Sequence, residues 1–269
     1  MRAAVLGSPV THSLSPVLHR AAYRLLGLDW TYDAVEVDET TLAAFLAELG
    51  PEWAGLSLTM PLKAAVLPLL DEVEPLGAAV GAVNTVVLRD GRRLGSNTDV
   101  PGLAAALSEH GLDAAGLGLL DRVVVLGSGA TARSAVAALA GAREIVVVAR
   151  RPDAFAAPGG ASVRLAGWDR LAAEMSAPLV VSTVPTGGSD ALAAAVPDAP
   201  GLLFDVVYDP WPTALARRWQ DRGGDVLGGL DLLVHQAALQ VLAMTGSTAA
   251  PADLVRVMRT AGRAELATR

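Results

Sequence analysis

The 269-residue chain contains no cysteine. Disulfides and thiolate metal sites are thereby excluded, which fits a reducing cytoplasm, the expected location. It also lacks positive charge in excess. With a formal net charge of −7 there is no global basic field to hold nucleic acid, so any anionic ligand must be met by a local site. No apolar run reaches the roughly eighteen uninterrupted residues of a membrane span once Pro61, Lys63 and Pro68 are counted as breaks. The apolar run in "MRAAVLGSPVTHSLSP" is too short for a signal peptide and reads as a first strand. Repeats and low-complexity linkers are absent. What the chain has in quantity is apolar residues, 52% against 18% charged, enough to bury the core of one large domain or two modest ones.

Two textures follow one another. Up to about Asp99, strand-like and helix-like segments alternate. "AAVLG" precedes a helix that Ser15 is expected to cap, with Pro16 in its first turn and Gly27 at its end. "TYDAVEV" alternates like a strand with one solvated side, and "ETTLAAFLAEL" has helical spacing. "NTVVLRDGRRLG" reads as a hairpin, because Asp90-Gly91 suits a type I′ turn. From about Pro101, "DRVVVLGSGATARSAVAALAGAREIVVVARR" reads as strand, glycine turn, helix, strand. Buried strands at "PLVVSTV" and "GLLFDVVY" follow, with helices between, which indicates a parallel sheet covered on both faces. Two amphipathic helices close the chain. The expected fold class is α/β: a substrate lobe of residues 1–100 completed by 237–269, a Rossmann-type doubly wound parallel sheet of residues 101–236, and a cleft between them.

Gly127-Ser128-Gly129-Ala130-Thr131-Ala132 fits G-x-G-x-x-G/A, placed after one strand and before a helix. Gly127 permits the tight turn, Gly129 close approach of a pyrophosphate, and Ala132 close packing of helix on strand. At the end of the next strand, an NAD site wants an acidic residue about 20 positions beyond the glycines. This chain has Ala149-Arg150-Arg151 instead. Two guanidinium groups suit a dianionic 2′-phosphate, so NADP is favoured over NAD.

The first lobe raises a different question. "WAGLSLTMPLKAAVLPLL" carries one charge, Lys63, among apolar residues, and such a lysine must either snorkel to water or have a partner and a task. Four polar clusters accompany it: "THSLSP" with Ser13 and Ser15, "SLTMPLK" with Thr59, "GAVNT" with Asn84, and "GSNTD" with Asp99. Each has a structural reading of its own. Ser15 caps a helix, Asn84 and Thr85 close a turn, and Asp99 caps the helix that starts near Pro101.

Together with Tyr-x-Pro and Leu-Val-x-Gln, these motifs in this order resemble the shikimate dehydrogenase family, from "GSPVTHSLSP" to "LLVHQAALQ". The resemblance implies NADP-dependent, reversible reduction of 3-dehydroshikimate to shikimate. It implies that Ser13 and Ser15 hold the substrate carboxylate, with Tyr208 approaching the same end. Thr59, Lys63, Asn84 and Asp99 would hold the ring hydroxyls and the reacting oxygen, and Gln236, placed in the second lobe, a further hydroxyl. Thr183, Val206 and Gly229 join the glycine turn and the arginines in holding the cofactor. Lys63 and Asp99 match the family's catalytic pair. Four departures stand out: Ser57-Leu58-Thr59 for Asn-Val-Thr, Ala130-Thr131 where glycine is common, Ala149-Arg150-Arg151 for Asn-Arg-Thr, and "STVPTG" near the nicotinamide.

Reducing a ketone with hydride leaves an alkoxide that must be protonated, and a suitably placed lysine can supply the proton. Lys63 is the expected acid/base and Asp99 its orienting partner. Hydride transfer from a nicotinamide needs no metal, and the four histidines are dispersed. The expected partner is a small-molecule substrate, with no nucleic acid and no membrane. Whether the chain works as a monomer or homodimer is left open. An NAD-dependent quinate/shikimate dehydrogenase would have threonine at Ser15 and an acid near Arg150. A methylenetetrahydrofolate dehydrogenase would not explain Ser-x-Ser or Asn-Thr-Asp. A catalytically idle sensing relative would be expected to lack Lys63 or Asp99.

Overall fold

The computed structural model describes residues 1–188 and 190–269. The chain divides into two compact units, Met1–Gly102 with Leu233–Arg269, and Leu103–Leu232. Gln236 therefore belongs to the first unit, not to the second as the sequence reading had it. The reason is the long helix Gly229–Thr245, whose Gln240 is hydrogen-bonded within the first unit, to Ser57 and Asn84.

The first unit is built on a six-stranded mixed sheet. Its strands are β1 (Arg2–Gly7), β2 (Thr31–Glu36), β3 (Trp53–Leu58), β4 (Glu72–Val73), β5 (Thr85–Arg89) and β6 (Arg92–Ser96), in the order β2-β1-β3-β5-β6-β4. β1, β2 and β3 run parallel, whereas β5 is antiparallel to both β3 and β6. Asp90 and Gly91 close the β5–β6 hairpin with φ of 53° and 72°, the left-handed pair that a type I′ turn requires. This topology brings the C-terminal ends of β1, β3 and β6 and the N-terminal end of β5 to one edge of the sheet. The polar clusters around Ser13, Thr59, Asn84 and Asp99 all emerge there.

Two local details at that edge differ from expectation. Helix Ser15–Leu25 has Leu14, not Ser15, in the capping position, and the Ser13 hydroxyl accepts the Ser15 N–H at 3.2 Å. Ser15 has already entered the helix, so its side chain has no capping task. Likewise Asp99 does not cap helix Asp99–Glu109. Asn97 Oδ1 accepts the N–H groups of Asp99 and Val100 at 3.0 and 3.1 Å, which leaves the Asp99 carboxylate available for other partners.

Lys63 rides on the one-turn helix Leu62–Ala65, too short to persist by itself. Leu62 and Val66, on either side of the lysine and four positions apart, are fully buried in a cluster with Leu6, Leu56, Leu58 and Val86. Burial of each such side chain contributes about 1.5–3 kcal/mol. Core packing thus holds the turn, and the lysine between its anchors is aimed off the sheet edge.

The second unit has a fully parallel sheet: β7 (Val123–Leu126), β8 (Ile145–Ala149), β9 (Arg164–Gly167), β10 (Leu179–Ser182), β11 (Leu202–Asp205) and β12 (Asp225–Leu227), in the order β12-β11-β10-β7-β8-β9. Along the central strands alternate residues serve opposite faces. Val123, Val125, Val147 and Val181 enter one apolar cluster, and Val124, Leu126, Val146, Val148 and Val180 the other. Continuous apolar runs are what two covered faces demand. β9 and β12 escaped the sequence reading because they are short edge strands with exposed polar residues. Among the described residues no helix is long and apolar enough to cross a membrane.

Candidate active site

Four side chains foreseen from the sequence come into direct contact in the first unit. Lys63 Nζ donates to Asp99 Oδ2 at 2.5 Å, with the two side chains only 14% and 6% exposed. Asp99 Oδ1 accepts from Asn84 Nδ2 at 2.8 Å, and the same amide nitrogen lies 3.3 Å from Gln236 Oε1. Asn84 is almost completely buried and closes no turn. Its Oδ1 accepts the Thr98 backbone N–H at 2.8 Å, which fixes the amide with nitrogen toward the carboxylate. Asp99 therefore receives charge-assisted hydrogen bonds on both oxygens, the kind worth about 1.5–3 kcal/mol each. Lys63 has found its partner.

Ser13 and Ser15 follow β1 and Thr59 follows β3, whose C-terminal ends lie at the same edge of the sheet. Ser13 is half-buried and Ser15 buried at the start of their helix, whose N-terminal amides favour an anion. Thr59 follows β3 directly, its N–H bonded to Leu6 O at 2.9 Å. The structure adds residues to which the sequence reading gave no site role. Thr98 pairs with Asn84 through backbone and hydroxyl, Thr85 donates to Asn84 Oδ1 at 2.9 Å, and Gln240 donates to Asn84 O at 3.0 Å. Gln240 was open to detection: it lies four residues after Gln236, on the same helical face.

In the second unit the glycine turn joins β7 to helix Ala130–Ala138, with Gly129 in the capping position. Gly127 has φ +112°, and a Cβ there would lie 2.5 Å from Thr183 Oγ1, so this position admits only glycine without strain. Thr183 spends its hydroxyl proton on Leu126 O at 2.8 Å. It therefore buttresses the turn and keeps only lone pairs for a ligand. A Cβ on Gly129 would meet nothing within 4 Å; packing does not call for glycine, whereas close approach of a phosphate to the helix amides does. Ser128 is exposed, Ala130 and Thr131 half-buried, and Ala132 fully buried against the sheet. Arg150 and Arg151 are exposed beyond the end of β8, with the Arg150 guanidinium 5.8 Å from the Trp168 ring centre, within cation–π range. An open glycine cradle, helix amides and two exposed arginines at the strand end fit a dinucleotide bearing a 2′-phosphate.

Val206 and Tyr208 follow β11, both half-buried, and Val206 N–H donates to Ser182 O at 3.0 Å. Gly229 is buried, its N–H bonded to Val207 O at 3.1 Å. Asp205, at the end of β11, is fully buried. Burial pushes its carboxyl up to about 6, opposed by hydrogen bonds from Thr213 Oγ1 and Val207 N–H.

Comparison with known proteins places this architecture. Residues 5–86 match the family model of the shikimate dehydrogenase substrate binding domain. The curated shikimate dehydrogenase (NADP(+)) of Moorella thermoacetica is 37% identical, covering 96% of this chain and 92% of its own. The crystal structure of Mycobacterium tuberculosis shikimate dehydrogenase matches with a TM-score of 0.85 and 40% identity, over 98% of this chain and 99% of that one. Shikimate 5-dehydrogenase of Thermus thermophilus, solved in complex with NADP(H) and shikimate, matches with a TM-score of 0.83 and 35% identity, over 97% and 99%. By sequence across nearly its whole length, and by fold, the chain belongs to the shikimate dehydrogenase family.

Proposed function

We propose that this chain catalyses the reversible NADP-dependent reduction of 3-dehydroshikimate to shikimate, a step of aromatic amino-acid biosynthesis, in the cytoplasm. The observation that carries this reading is the Lys63–Asp99 pair, buried and bonded to Asn84 beside Gln236 at the open edge of the first sheet. The relatives named above supply the substrate and cofactor, and the first unit with its C-terminal helices is assigned the substrate, the second the dinucleotide.

The nicotinamide of NADP, held by the second unit, would supply or accept the hydride at the carbon that bears the reacting oxygen. Lys63 donates the proton that turns that oxygen into a hydroxyl and recovers it in the oxidative direction. Asp99 holds the ammonium group in one orientation, a role that their 2.5 Å contact supports. Asn84 and Gln236 present amide groups to ring hydroxyls, and Thr59 a hydroxyl. Ser13 and Ser15, at a helix N-terminus, take the substrate carboxylate, with Tyr208 at the same end. Gly127, Ser128, Gly129, Ala130, Thr131 and Ala132 receive the pyrophosphate, Arg150 and Arg151 the 2′-phosphate, and Thr183, Val206 and Gly229 the nicotinamide end.

The test is direct. Purified protein is incubated with shikimate and either NADP⁺ or NAD⁺, and absorbance of the reduced nicotinamide is followed. Rapid reduction of NADP⁺ with much slower reduction of NAD⁺ supports the reading. Absence of reduction with both cofactors overturns it, and a preference for NAD⁺ overturns the role given to the arginines.

A further inference from the structure

Behind the candidate catalytic pair lies a hydrogen-bond chain that neither the motifs nor the proposed mechanism uses. Tyr32, fully buried on β2, donates to Ser57 Oγ at 2.6 Å. Ser57, buried on β3, donates to Gln240 Oε1 at 2.8 Å. Gln240 Nε2 donates to Asn84 O at 3.0 Å and to Thr85 Oγ1 at 3.2 Å. Thr85 donates to Asn84 Oδ1 at 2.9 Å, and Asn84 Nδ2 donates to Asp99 Oδ1 at 2.8 Å. Lys63 closes the series on Asp99 Oδ2.

Apart from the Thr85 hydroxyl, which also lies 3.3 Å from Thr98 Oγ1, the bond directions are determined by groups that have no choice. Asn84 O is a backbone carbonyl and can only accept, so Gln240 must turn its NH₂ toward it and its Oε1 toward Ser57. Ser57 has one proton and gives it to Oε1, so it must accept from Tyr32, whose own proton is thereby committed. At the other end, the Thr98 N–H can only donate, so Asn84 turns Oδ1 to it and Nδ2 to Asp99. From Tyr32 to Asp99 the bonds point one way and polarise each member in the same sense, and Lys63 donates to Asp99 from the opposite side. The far end is itself held in place: Tyr32 stacks on His19 with ring centres 3.8 Å apart, and His19 Nδ1 bonds Ser15 O at 2.9 Å. Burial lowers the His19 pKa to about 4, so the ring is neutral and donates from Nδ1.

We infer that Tyr32, Ser57 and Gln240 are positioning residues for the reaction proposed above. They form a buried, one-way relay that sets the place and orientation of Asn84, and through it the Asp99 carboxylate that holds Lys63. Ser57 is then the central link. Its single hydroxyl accepts from Tyr32 and donates to Gln240 at once.

The test compares Ser57→Thr with Ser57→Val, which have the same shape and differ only in the hydroxyl. Kinetics with shikimate and NADP⁺ read the reaction, and ¹⁵N side-chain amide spectra of Asn84 and Gln240 without substrate read the relay. Ser57→Val is expected to lower kcat at least about tenfold, as displacement of a catalytic group does, with KM for NADP⁺ unchanged and both amide resonances moved. Ser57→Thr is expected to keep kcat within about threefold of wild type, because the hydroxyl relay survives. Should either substitution prevent folding, Tyr32→Phe and Gln240→Met interrupt the same chain from its two sides, and both are expected to move the Asn84 resonance. Equal kcat in the valine and threonine variants overturns the inference, as does an Asn84 resonance unmoved in every variant that lacks a link. Because the inference rests on the proposed function only for its kinetic arm, wild-type protein inactive on shikimate refutes that function while the amide spectra still decide the relay.

Discussion

Asp99→Asn changes one atom at the centre of the site, and its consequence follows from geometry. Both Asp99 oxygens are acceptors, one for the Lys63 ammonium at 2.5 Å and one for Asn84 Nδ2 at 2.8 Å. An asparagine amide offers one acceptor and one NH₂. Whichever way it is turned, a donor faces a donor, at Lys63 or at Asn84. Asn84 is held by Thr98 N–H and cannot reverse without losing that bond. One charge-assisted hydrogen bond of about 1.5–3 kcal/mol is therefore lost, and a buried donor is left unpaired. With the side chains 14% and 6% exposed, water offers little compensation. The expected result is a first unit destabilised by about 2 kcal/mol and a kcat lowered by about 10²-fold or more, the lower range for a general acid–base group. Urea unfolding and steady-state kinetics with shikimate and NADP⁺ measure the two, with KM for NADP⁺ as the control that stays constant. Wild-type kcat together with wild-type stability in Asp99→Asn would refute this reasoning.

Other perturbations read other parts of the molecule. Gly127→Ala forces a Cβ to within 2.5 Å of Thr183 Oγ1 at a φ of +112°; calorimetry should show NADP⁺ binding weakened at least about tenfold, the factor that 1.4 kcal/mol produces, while shikimate binding stays constant. Replacing Arg150 and Arg151 together by glutamate should lower the NADP⁺ to NAD⁺ preference by about 10²-fold, given about 1.5–3 kcal/mol per charged hydrogen bond to the 2′-phosphate; an unchanged ratio of kcat/KM values would remove the arginines from cofactor choice. His19 has its pKa lowered from 6.5 to about 4 by complete burial, so the unfolded chain takes up the proton first and wild-type stability falls as pH drops from about 6.5 to 4. The gap corresponds to about 3 kcal/mol. Unfolding at both pH values should show the advantage of wild type over His19→Gln shrinking by about that amount toward pH 4, and a constant advantage would contradict it. Asp205, its carboxyl raised to about 6 by burial, acts with opposite sign: its contribution is fully present below about pH 4 and lost as pH rises through 6, so Asp205→Asn should steepen the acid loss of stability.

What the sequence made legible followed from local chemistry. The apolar runs of β7, β8, β10 and β11 announced a sheet covered on both faces, Asp90-Gly91 announced its hairpin, and the glycine pattern located the turn at Gly127. The contacts of Lys63, Asn84 and Asp99 were foreseen only because the ordered motifs resembled a family, since residues 21 and 36 positions from Lys63 have no local reason to meet it. Capping was misread twice for one reason. Ser15 and Asp99 looked like caps by type, yet Ser13 and Asn97, each two residues earlier, bond those amides. Several side chains at a helix start compete for the same N–H groups, and sequence does not rank them. Gln236 was placed in the wrong unit because helix Gly229–Thr245 is apolar on most of its surface and gives no sign of which sheet it covers. The relay through Tyr32, Ser57 and Gln240 joins residues up to 183 positions apart, a distance no periodicity spans.

The central claim is that Lys63 moves the proton that accompanies hydride transfer. It is tested most directly by comparing Lys63→Ala with wild type in shikimate oxidation with NADP⁺ at saturating concentrations of both. The account predicts that kcat collapses by about 10²–10⁴-fold, the contribution of a positioned acid–base group. A near-normal kcat with only a raised KM for shikimate would contradict it.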